Sequence, residues 1–136
     1  MTVFIDASAM VAMIAKEPEA LHFANRIGWE EHRLTSPIAI WESVRAVARV
    51  RGVDLNEARM LVADFVRDAS IRLVAIEAGD GDIALDAHQR YGKGVHAAAL
   101  NMGDCFAYAS AKRLNAPILF KGHDFIHTDL EDATLA

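Results

Sequence analysis

The sequence predicts an α/β fold in which a mainly parallel sheet is covered on both faces by helices. Short runs of β-branched and aromatic residues, clearest at residues 2–5 and 117–120, alternate with segments of helical periodicity. These strands lie too far apart for hairpins, so crossover connections and parallel pairing are expected. With 136 residues, of which 53% are hydrophobic, the chain is expected to form a single domain over residues 1–136.

The first strand ends at an acidic residue and leads directly into a helix. Residues 2–5 have the composition of a fully buried strand, and Asp6 follows at its carboxyl end. Ser8 is the predicted N-cap of a short helix over residues 9–15, and Pro18 suits the first position of a second helix. The buried face of this second helix is expected to contain Leu21, Phe23, Ala24 and Ile27.

A brief strand over residues 33–35 and a long helix follow. Ser36 and Pro37 are a typical N-cap and first-turn pair for a helix that ends near Arg51. A spacing of three and four residues predicts its core stripe, which consists of Ile38, Trp41, Val44 and Ala48. Glu42 lies one step off that stripe and can flank the buried face. Trp41 is interpreted as a core residue rather than as a platform for stacking a base.

The rest of the chain continues the alternation of helices and strands. The expected elements are a helix that starts at Asp54 or Asn56, a strand over 71–76, a turn over 79–82, a helix over 83–91, a helix that begins near Asp104, a strand over 117–120 and a short edge strand over 126–130. After Asp104, small and aromatic residues indicate a helix packed closely on the sheet, which makes an acid at its start conspicuous.

Composition excludes several classes of protein. Cys105 is the single cysteine, so no internal disulfide is possible, no zinc spacing is present, and a reducing cytoplasm is expected. No signal peptide or membrane span is visible in the sequence. The net charge of −5 argues against a simple phosphate-binding surface, but setting aside four of the 19 acids as metal ligands leaves 15 against 14 basic residues. Overall charge therefore leaves RNA and DNA open as substrates.

Four acidic residues are expected to converge at one edge of the sheet. Asp6 and Asp124 each follow a strand, and the carboxyl ends of parallel strands form the usual ligand-binding edge of such a sheet. Asp104 begins a helix that leads into the strand over 117–120, which places its start at the same edge. Glu42 reaches that edge if the fold brings the first turns of its helix there.

Carboxylates that meet without basic partners repel one another, and a bound cation resolves that repulsion. Hard oxygen ligands select Mg²⁺, with Mn²⁺ as an alternative, and substrate phosphates and waters complete the coordination. The chemistry implied is hydrolysis of a phosphodiester bond by a metal-activated water.

Each of these residues also has a simpler explanation. Asp104 and Asp6 are suited to capping helices, and Glu42 can pair with Arg45 on an exposed helix face. Asp124 can close a turn, and Asp129 competes with it as the fourth acid. Three residues are candidates for a supporting role in the site, namely Ser8, Asn101 and Asp129.

Several blocks of this sequence resemble the PIN-domain ribonucleases, and among them the VapC-type toxins of toxin-antitoxin pairs. The similarity runs nearly from end to end. It rests on residues 3–9 with Asp6 and Ser8, on Glu42 after Ser36 and Pro37, on residues 100–109 with the Asn-Met-Gly-Asp block, and on residues 119–125 with Thr128 and Asp129. The third block is the most specific.

The resemblance implies a three-layer α/β/α sandwich with a central, mainly parallel sheet. It also implies a Mg²⁺-dependent endoribonuclease that forms a homodimer and is inhibited by a cognate VapB-type antitoxin. Carried over residue by residue, the family's acidic quartet corresponds to Asp6, Glu42, Asp104 and Asp124, and Ser8 matches the small hydroxylic residue beside the first acid.

Two other functions are compatible with parts of the sequence. An aspartate-nucleophile phosphohydrolase also has an aspartate at the end of its first strand, but it requires a second aspartate two residues later, where this chain has Ser8. A non-catalytic domain that only binds a partner, such as a receiver-like domain or a degenerate nuclease, is the second alternative. The presence of all four acids argues against degeneracy.

Overall fold

The computed structural model describes residues 1–135 and has three layers, with helices on both faces of a central sheet. In chain order the elements are β1 (Thr2–Ile5), α1 (Ala7–Ile14), α2 (Ala20–Gly28), β2 (His32–Thr35), α3 (Pro37–Arg51), α4 (Leu55–Asp68), β3 (Ile71–Leu73), α5 (Ala78–Tyr91), α6 (Met102–Arg113), β4 (Ile118–Leu119) and a 3₁₀ turn (Ala133–Leu135). The predicted α/β/α sandwich is confirmed.

The sheet has four strands in the order β3-β2-β1-β4, and all neighbouring strands are parallel. The first strand is central, since Phe4 lies opposite Leu34 of β2 on one side and Ile118 of β4 on the other. All four strands therefore end at the same edge, where Asp6 follows β1, α3 with Glu42 follows β2, and the turn with Asp124 follows β4.

Alternation along the central strand divides the core into two parts. Val3 and Ile5 pack into a cluster with α1 to α4, whereas Phe4 packs into a second cluster with α5 and α6. All three side chains are completely buried. A strand that is buried on both faces has no polar position to spare, which is why the first acid, Asp6, comes directly after it.

The helix starts differ from the prediction in detail. Asp6, not Ser8, is the N-cap of α1, and the helix begins at Ala7. Asn101, not Asp104, is the N-cap of α6. Ser36 and Pro37 open α3 as predicted, so that α3 begins immediately after the carboxyl end of β2.

Two predicted elements were wrong, namely the turn over 79–82 and the edge strand over 126–130. The turn expected over 79–82 is the first turn of α5, because Asp80 accepts a hydrogen bond from the Glu77 N–H and is also bound by the Arg113 guanidinium. The edge strand expected over 126–130 is a series of turns and bends. Strand β3 is also shorter than expected, ending at Leu73.

Burial along two helices also departs from the expected stripes. In α2, Phe23 and Ile27 are buried but Leu21 and Ala24 are exposed. In α3, the buried residues are Ala39, Ser43, Val44 and Val47, whereas Trp41 is 58% exposed. The true stripe of α3 consists mainly of small side chains. Within residues 1–135, no helix has the length and apolar character needed to cross a bilayer.

Candidate active site

A groove of about 680 Å³ opens at the carboxyl edge of the sheet. It is bordered by the start of α1, one side of α3, the start of α6 and the turn after β4. The acidic residues that line it are Asp6, Glu17, Glu42, Asp104 and Asp124, and its other polar or aromatic lining residues include Ser8, Trp41, Arg45, Arg49, Asn101 and Lys121. The four acids predicted to converge therefore share one cavity.

Asp6 is held at the base of the groove by its own helix. The Asp6 Oδ2 accepts hydrogen bonds from the Ser8 N–H at 3.0 Å and from the Ser8 hydroxyl at 2.6 Å. The Ser8 hydroxyl oxygen in turn accepts a hydrogen bond from the Lys121 N–H at 3.0 Å, which links α1 to the end of β4. Ser8 thus fixes the orientation of the Asp6 carboxylate and ties it to the turn that carries Asp124.

Asp104 is the third residue of α6 and serves the helix start with one oxygen only. Its Oδ2 accepts a hydrogen bond from the Asn101 N–H at 3.1 Å, and the Asn101 Oδ1 accepts one from the Asp104 N–H at 2.8 Å. This reciprocal pair is a capping box. The Asp104 Oδ1 accepts no hydrogen bond from residues 1–135, so the carboxylate can cap the helix and still present an oxygen to the groove.

Glu42 reaches the groove from the second turn of α3 and lies directly against Gly103. A Cβ atom at position 103 would overlap the Glu42 carboxyl group. The residue before Asp104 must therefore lack a side chain for Glu42 to occupy this place. Glu42 forms no ion pair with Arg45 or any other residue of the described chain, so the simpler explanation of Glu42 as an exposed pairing partner was wrong.

The structure separates the two candidates for the fourth acid. Asp124 is exposed and lines the groove. Asp129 instead accepts a hydrogen bond from the Tyr108 hydroxyl at 2.6 Å and forms an ion pair with Lys112 at 2.8 Å. These hydrogen bonds outweigh the effect of burial and lower the pKa of Asp129. Asp129 therefore belongs to a separate surface cluster beside α6.

None of the four acids in the groove forms an ion pair with a basic side chain among residues 1–135. Burial raises the pKa of Asp6, against the effect of its hydrogen bonds from Ser8, and Asp124 adds a smaller increase. Burial and the neighbouring Asp6 raise the pKa of Glu42 to about 7. Burial, followed by the charge of Asp6, raises the pKa of Asp104 to about 7 as well. The charged form of this cluster is therefore unfavourable without a cation.

The donor set fits a hard divalent cation held partly through water. Within the described residues, no three His, Cys, Asp or Glu side chains are arranged closely enough to enclose an ion directly. Mg²⁺ does not require such a cage, because it typically keeps several waters and binds one or two carboxylates plus substrate phosphates. Asp6 and Asp104 are the residues best placed to hold it, because both carboxylates are held by hydrogen bonds and the charge of Asp6 adds to the burial that raises the pKa of Asp104.

A family model for the PIN domain matches residues 3–131 of this chain. The chain belongs to the PIN-domain family. Membership of the PIN-domain family rules out the alternative that this chain is an aspartate-nucleophile phosphohydrolase.

This PIN domain is similar to curated VapC ribonucleases over nearly its whole length. It is 40% identical to a VapC ribonuclease of Rhizobium meliloti, with 93% of this chain and 98% of the relative covered. It is 39% identical to ribonuclease VapC30 of Mycobacterium tuberculosis, with 96% and 98% covered. Its fold is similar to the crystal structure of Mycobacterium tuberculosis VapC20, a Sarcin-Ricin loop cleaving toxin, with a TM-score of 0.75, 14% identity and coverage of 94% of this chain and 95% of that one.

Sequence reasoning missed the roles of four residues in or beside this PIN domain's groove. Gly103 has a spatial role that no local pattern reveals, because Glu42 is 61 positions away. The other three residues lie on one exposed face of α3, namely Trp41, Arg45 and Arg49. Their spacing of four, opposite the small residues Ala39, Ser43 and Val47, was the pattern that could have identified this face.

Proposed function

We propose that this protein is a divalent-metal-dependent endoribonuclease that acts as the toxin of a toxin-antitoxin pair. The observation that carries the proposal is the groove itself, in which four acids meet without a basic partner in a PIN domain. The names of the relatives supply the substrate class, since both curated relatives described above are ribonucleases. Asp6, Glu42, Asp104 and Asp124 are the proposed catalytic and metal-binding residues.

In the proposed mechanism, Asp6 and Asp104 hold the ion and the other two acids act beside it. A bound Mg²⁺, or Mn²⁺, would lower the pKa of a water and would neutralise charge on the phosphoryl oxygens. Glu42 and Asp124 flank this pair and accept hydrogen bonds from the attacking water. These hydrogen bonds orient the lone pair of the water oxygen. The water oxygen forms a bond to phosphorus and loses a proton to solvent, one P–O bond of the RNA backbone breaks, and the leaving oxygen takes up a proton from solvent.

The supporting residues restrict how the acids move. Ser8 fixes the Asp6 carboxylate through two hydrogen bonds to one oxygen. Asn101 restrains Asp104 through a single hydrogen bond, which its backbone N–H donates to one carboxylate oxygen. These contacts leave little freedom for the carboxylates to turn away from each other, so their repulsion persists until a cation binds.

Partners and location are part of the same proposal. A VapB-type antitoxin is the expected inhibitor, and RNA is the expected substrate. A homodimer is supported by an apolar groove of about 660 Å³ between α5 and α6, where Leu85 and Met102 are 67% and 68% exposed. The lone Cys105 is buried and free, which suits a reducing cytoplasm.

Cleavage of RNA by the purified protein tests the enzymatic part of the proposal. Wild-type protein should cleave RNA in Mg²⁺, and EDTA or the Asp6→Asn substitution should stop cleavage. Cleavage that persists in EDTA, or no cleavage of any RNA pool by wild-type protein that binds its antitoxin, would show a metal-independent or non-catalytic domain instead.

Growth of cells that express the protein tests the toxin part. Expression without an antitoxin should arrest growth, and Asp104→Asn should relieve the arrest at equal protein level. A small reading frame immediately upstream, when co-expressed, should also relieve it. Equal growth of cells with wild-type and Asp104→Asn protein would count against a toxin while leaving the nuclease assay to be judged separately.

A further inference from the structure

An exposed aromatic and basic strip on α3 forms one wall of the acidic groove. Its members are Trp41, Arg45 and Arg49, spaced four residues apart and therefore aligned along one helix face. At a rise of 1.5 Å per residue, the strip extends about 12 Å along the groove. It begins directly beside Glu42, so it starts at the acidic cluster and runs away from it.

Trp41 is a large indole that the fold leaves 58% exposed in a cavity. The Arg45 guanidinium lies over its ring, 4.8 Å from the ring centroid. This cation–π contact uses one face of the indole, and within residues 1–135 no N–H group of Arg45 donates a hydrogen bond, so these groups are available to phosphate oxygens. The pair therefore combines a stacking surface with donors for phosphate.

The two arginines differ from the third cation of the groove in having no acidic partner. Lys121 is paired with Glu17 at 3.0 Å and with Glu19 at 3.6 Å. Neither Arg45 nor Arg49 forms an ion pair with any other part of residues 1–135. In a chain with a net charge of −5, two unpaired guanidinium groups beside a carboxylate cluster are a local positive surface that complements phosphate.

We propose that this strip binds an unpaired nucleotide next to the scissile phosphate, with its base on Trp41 and the backbone phosphates on Arg45 and Arg49. Indole stacking is available to bases of single strands and loops, because bases in a duplex are already stacked. This inference rests on the proposed function for the identity of the nucleic acid as RNA.

Binding measured separately from cleavage tests the strip. The probe is a labelled single-stranded oligoribonucleotide of randomised sequence, titrated in Mg²⁺ with protein that carries Asp104→Asn so that the RNA stays intact. Trp41→Ala in this background should weaken binding roughly tenfold, as expected for one lost stacked base, whereas Trp41→Phe should retain most of the affinity. A duplex of the same composition should bind equally to all three proteins.

The arginines are tested by salt dependence, which a purely structural role would not change. The double substitution Arg45→Gln and Arg49→Gln should reduce the slope of log K against log salt by roughly 0.7 for each lost phosphate contact. Matched controls are Trp29→Ala and Arg59→Gln, because both side chains are exposed but lie outside the groove. The controls should leave affinity and slope unchanged.

The outcomes separate this inference from the proposed function. If Trp41→Ala and the double arginine variant, with melting temperatures like that of the parent, bind RNA as tightly as the controls do, the strip is not an RNA site. If those variants bind RNA normally but are no longer neutralised by the co-expressed antitoxin, the strip binds a protein and the inference is overturned. If RNA binding falls as expected but the chain without Asp104→Asn cleaves no RNA, the nuclease proposal fails and the binding site stands.

Discussion

Asp80 and Asp104 occupy the same position in two helices that lie side by side. Each is the third residue of its helix, each follows a glycine, and each accepts a hydrogen bond from the N–H of its N-cap residue. Asp80 is completely buried and Asp104 is 9% exposed. Their local sequences and local hydrogen bonds are therefore nearly equivalent.

The two aspartates differ in the side chains that surround them. Asp80 meets the Arg113 guanidinium, with Nε at 2.7 Å from Oδ1 and Nη2 at 3.2 Å from Oδ2. Burial opposes ionisation of Asp80, but the hydrogen bonds from Arg113 and Glu77 outweigh it and lower the pKa. Asp104 meets other acids, and its pKa is raised to about 7. At Asp80 this helix start forms an ion pair, the Asp80–Arg113 clasp, which joins α5 to α6. At Asp104 it forms part of a charged site.

Replacing each aspartate by asparagine should separate the two roles most strongly. We expect Asp104→Asn to lower RNA cleavage by about 10³-fold, because it removes a charged group aimed at the reacting phosphate. Its free energy of unfolding in metal-free buffer should stay the same or rise, since repulsion is relieved and the amide oxygen can still accept the Asn101 N–H. Asp80→Asn should leave cleavage by the folded protein unchanged.

Cleavage rates and thermal unfolding in EDTA check this pair of substitutions. A marked drop in the melting temperature of Asp104→Asn would show that Asp104 is mainly a helix cap, as the simpler explanation holds. A loss of cleavage by folded Asp80→Asn protein would show that the clasp and the groove are not independent.

Removing the partner of the clasp should have the largest effect on stability. Arg113→Ala leaves Asp80 buried without its cation, and we expect the free energy of unfolding to fall by about 3 kcal/mol. Lys112→Ala is the matched control, because its ion pair with Asp129 is exposed and should contribute about 0.5 kcal/mol. Urea unfolding measures both, and equal effects of the two substitutions would contradict the clasp.

The two glycines before the aspartates provide a subtler comparison. A methyl group at position 103 overlaps the end of the Glu42 side chain, whereas nothing lies within 4 Å of a methyl group at position 79. Gly103→Ala should therefore displace Glu42 and lower cleavage by about 10-fold to 100-fold. The Glu42 side chain is flexible and can move, so the free energy of unfolding of Gly103→Ala should not fall. That of Gly79→Ala should rise slightly. Identical cleavage by the two variants would refute this role for Gly103.

The smallest expected effect is a pair of opposite pH dependences. For Glu42 and Asp104, with pKa values raised to about 7, the folded state binds more protons than the unfolded state between about pH 4 and 7. Metal-free protein should therefore lose stability as pH rises through this window, by about 1 kcal/mol because the groove is open to water. Asp80 has a lowered pKa, so its contribution is lost as pH falls below its unfolded value near 4.

Urea unfolding at several pH values, with and without Mg²⁺, measures this effect. Mg²⁺ should remove the loss of stability between pH 4 and 7, because a bound cation stabilises the charged carboxylates. Glu42→Gln should reduce the loss in metal-free buffer. A stability that rises with pH over this window in EDTA would contradict the repulsion described for the groove.

Sequence reasoning succeeded where the local pattern and the fold agree. The central strand is an uninterrupted apolar run, and the position of Asp6 after it follows from burial on both faces. Once a parallel sheet is predicted, the rule that strands share a carboxyl edge places Asp6, Asp104 and Asp124 together. The place of Glu42 depended on where its helix begins, and α3 does begin just after β2.

The failures come from contacts between residues far apart in the chain. The Gly-Asp-Gly-Asp run at 79–82 has the composition of a turn, and Arg113, which is 33 positions from Asp80, overrides it. Trp41 was assigned to the core because large apolar residues usually are buried. The close approach of α3 to its neighbours instead selects small side chains for the buried face, and the indole is left facing the groove.

The contact between Gly103 and Glu42 has a genetic consequence. Every missense change of a glycine codon adds a side chain, so every such change at position 103 places atoms where the Glu42 carboxylate lies. In a population selected for escape from this protein's toxicity, we expect survivors to carry changes at codon 103 alongside changes at the codons for the acids. The Gly103→Ala allele would retain all four carboxylates and a folded protein, because only the end of the flexible Glu42 side chain must move, so a survey that checks only for the acidic residues would count it as an active gene.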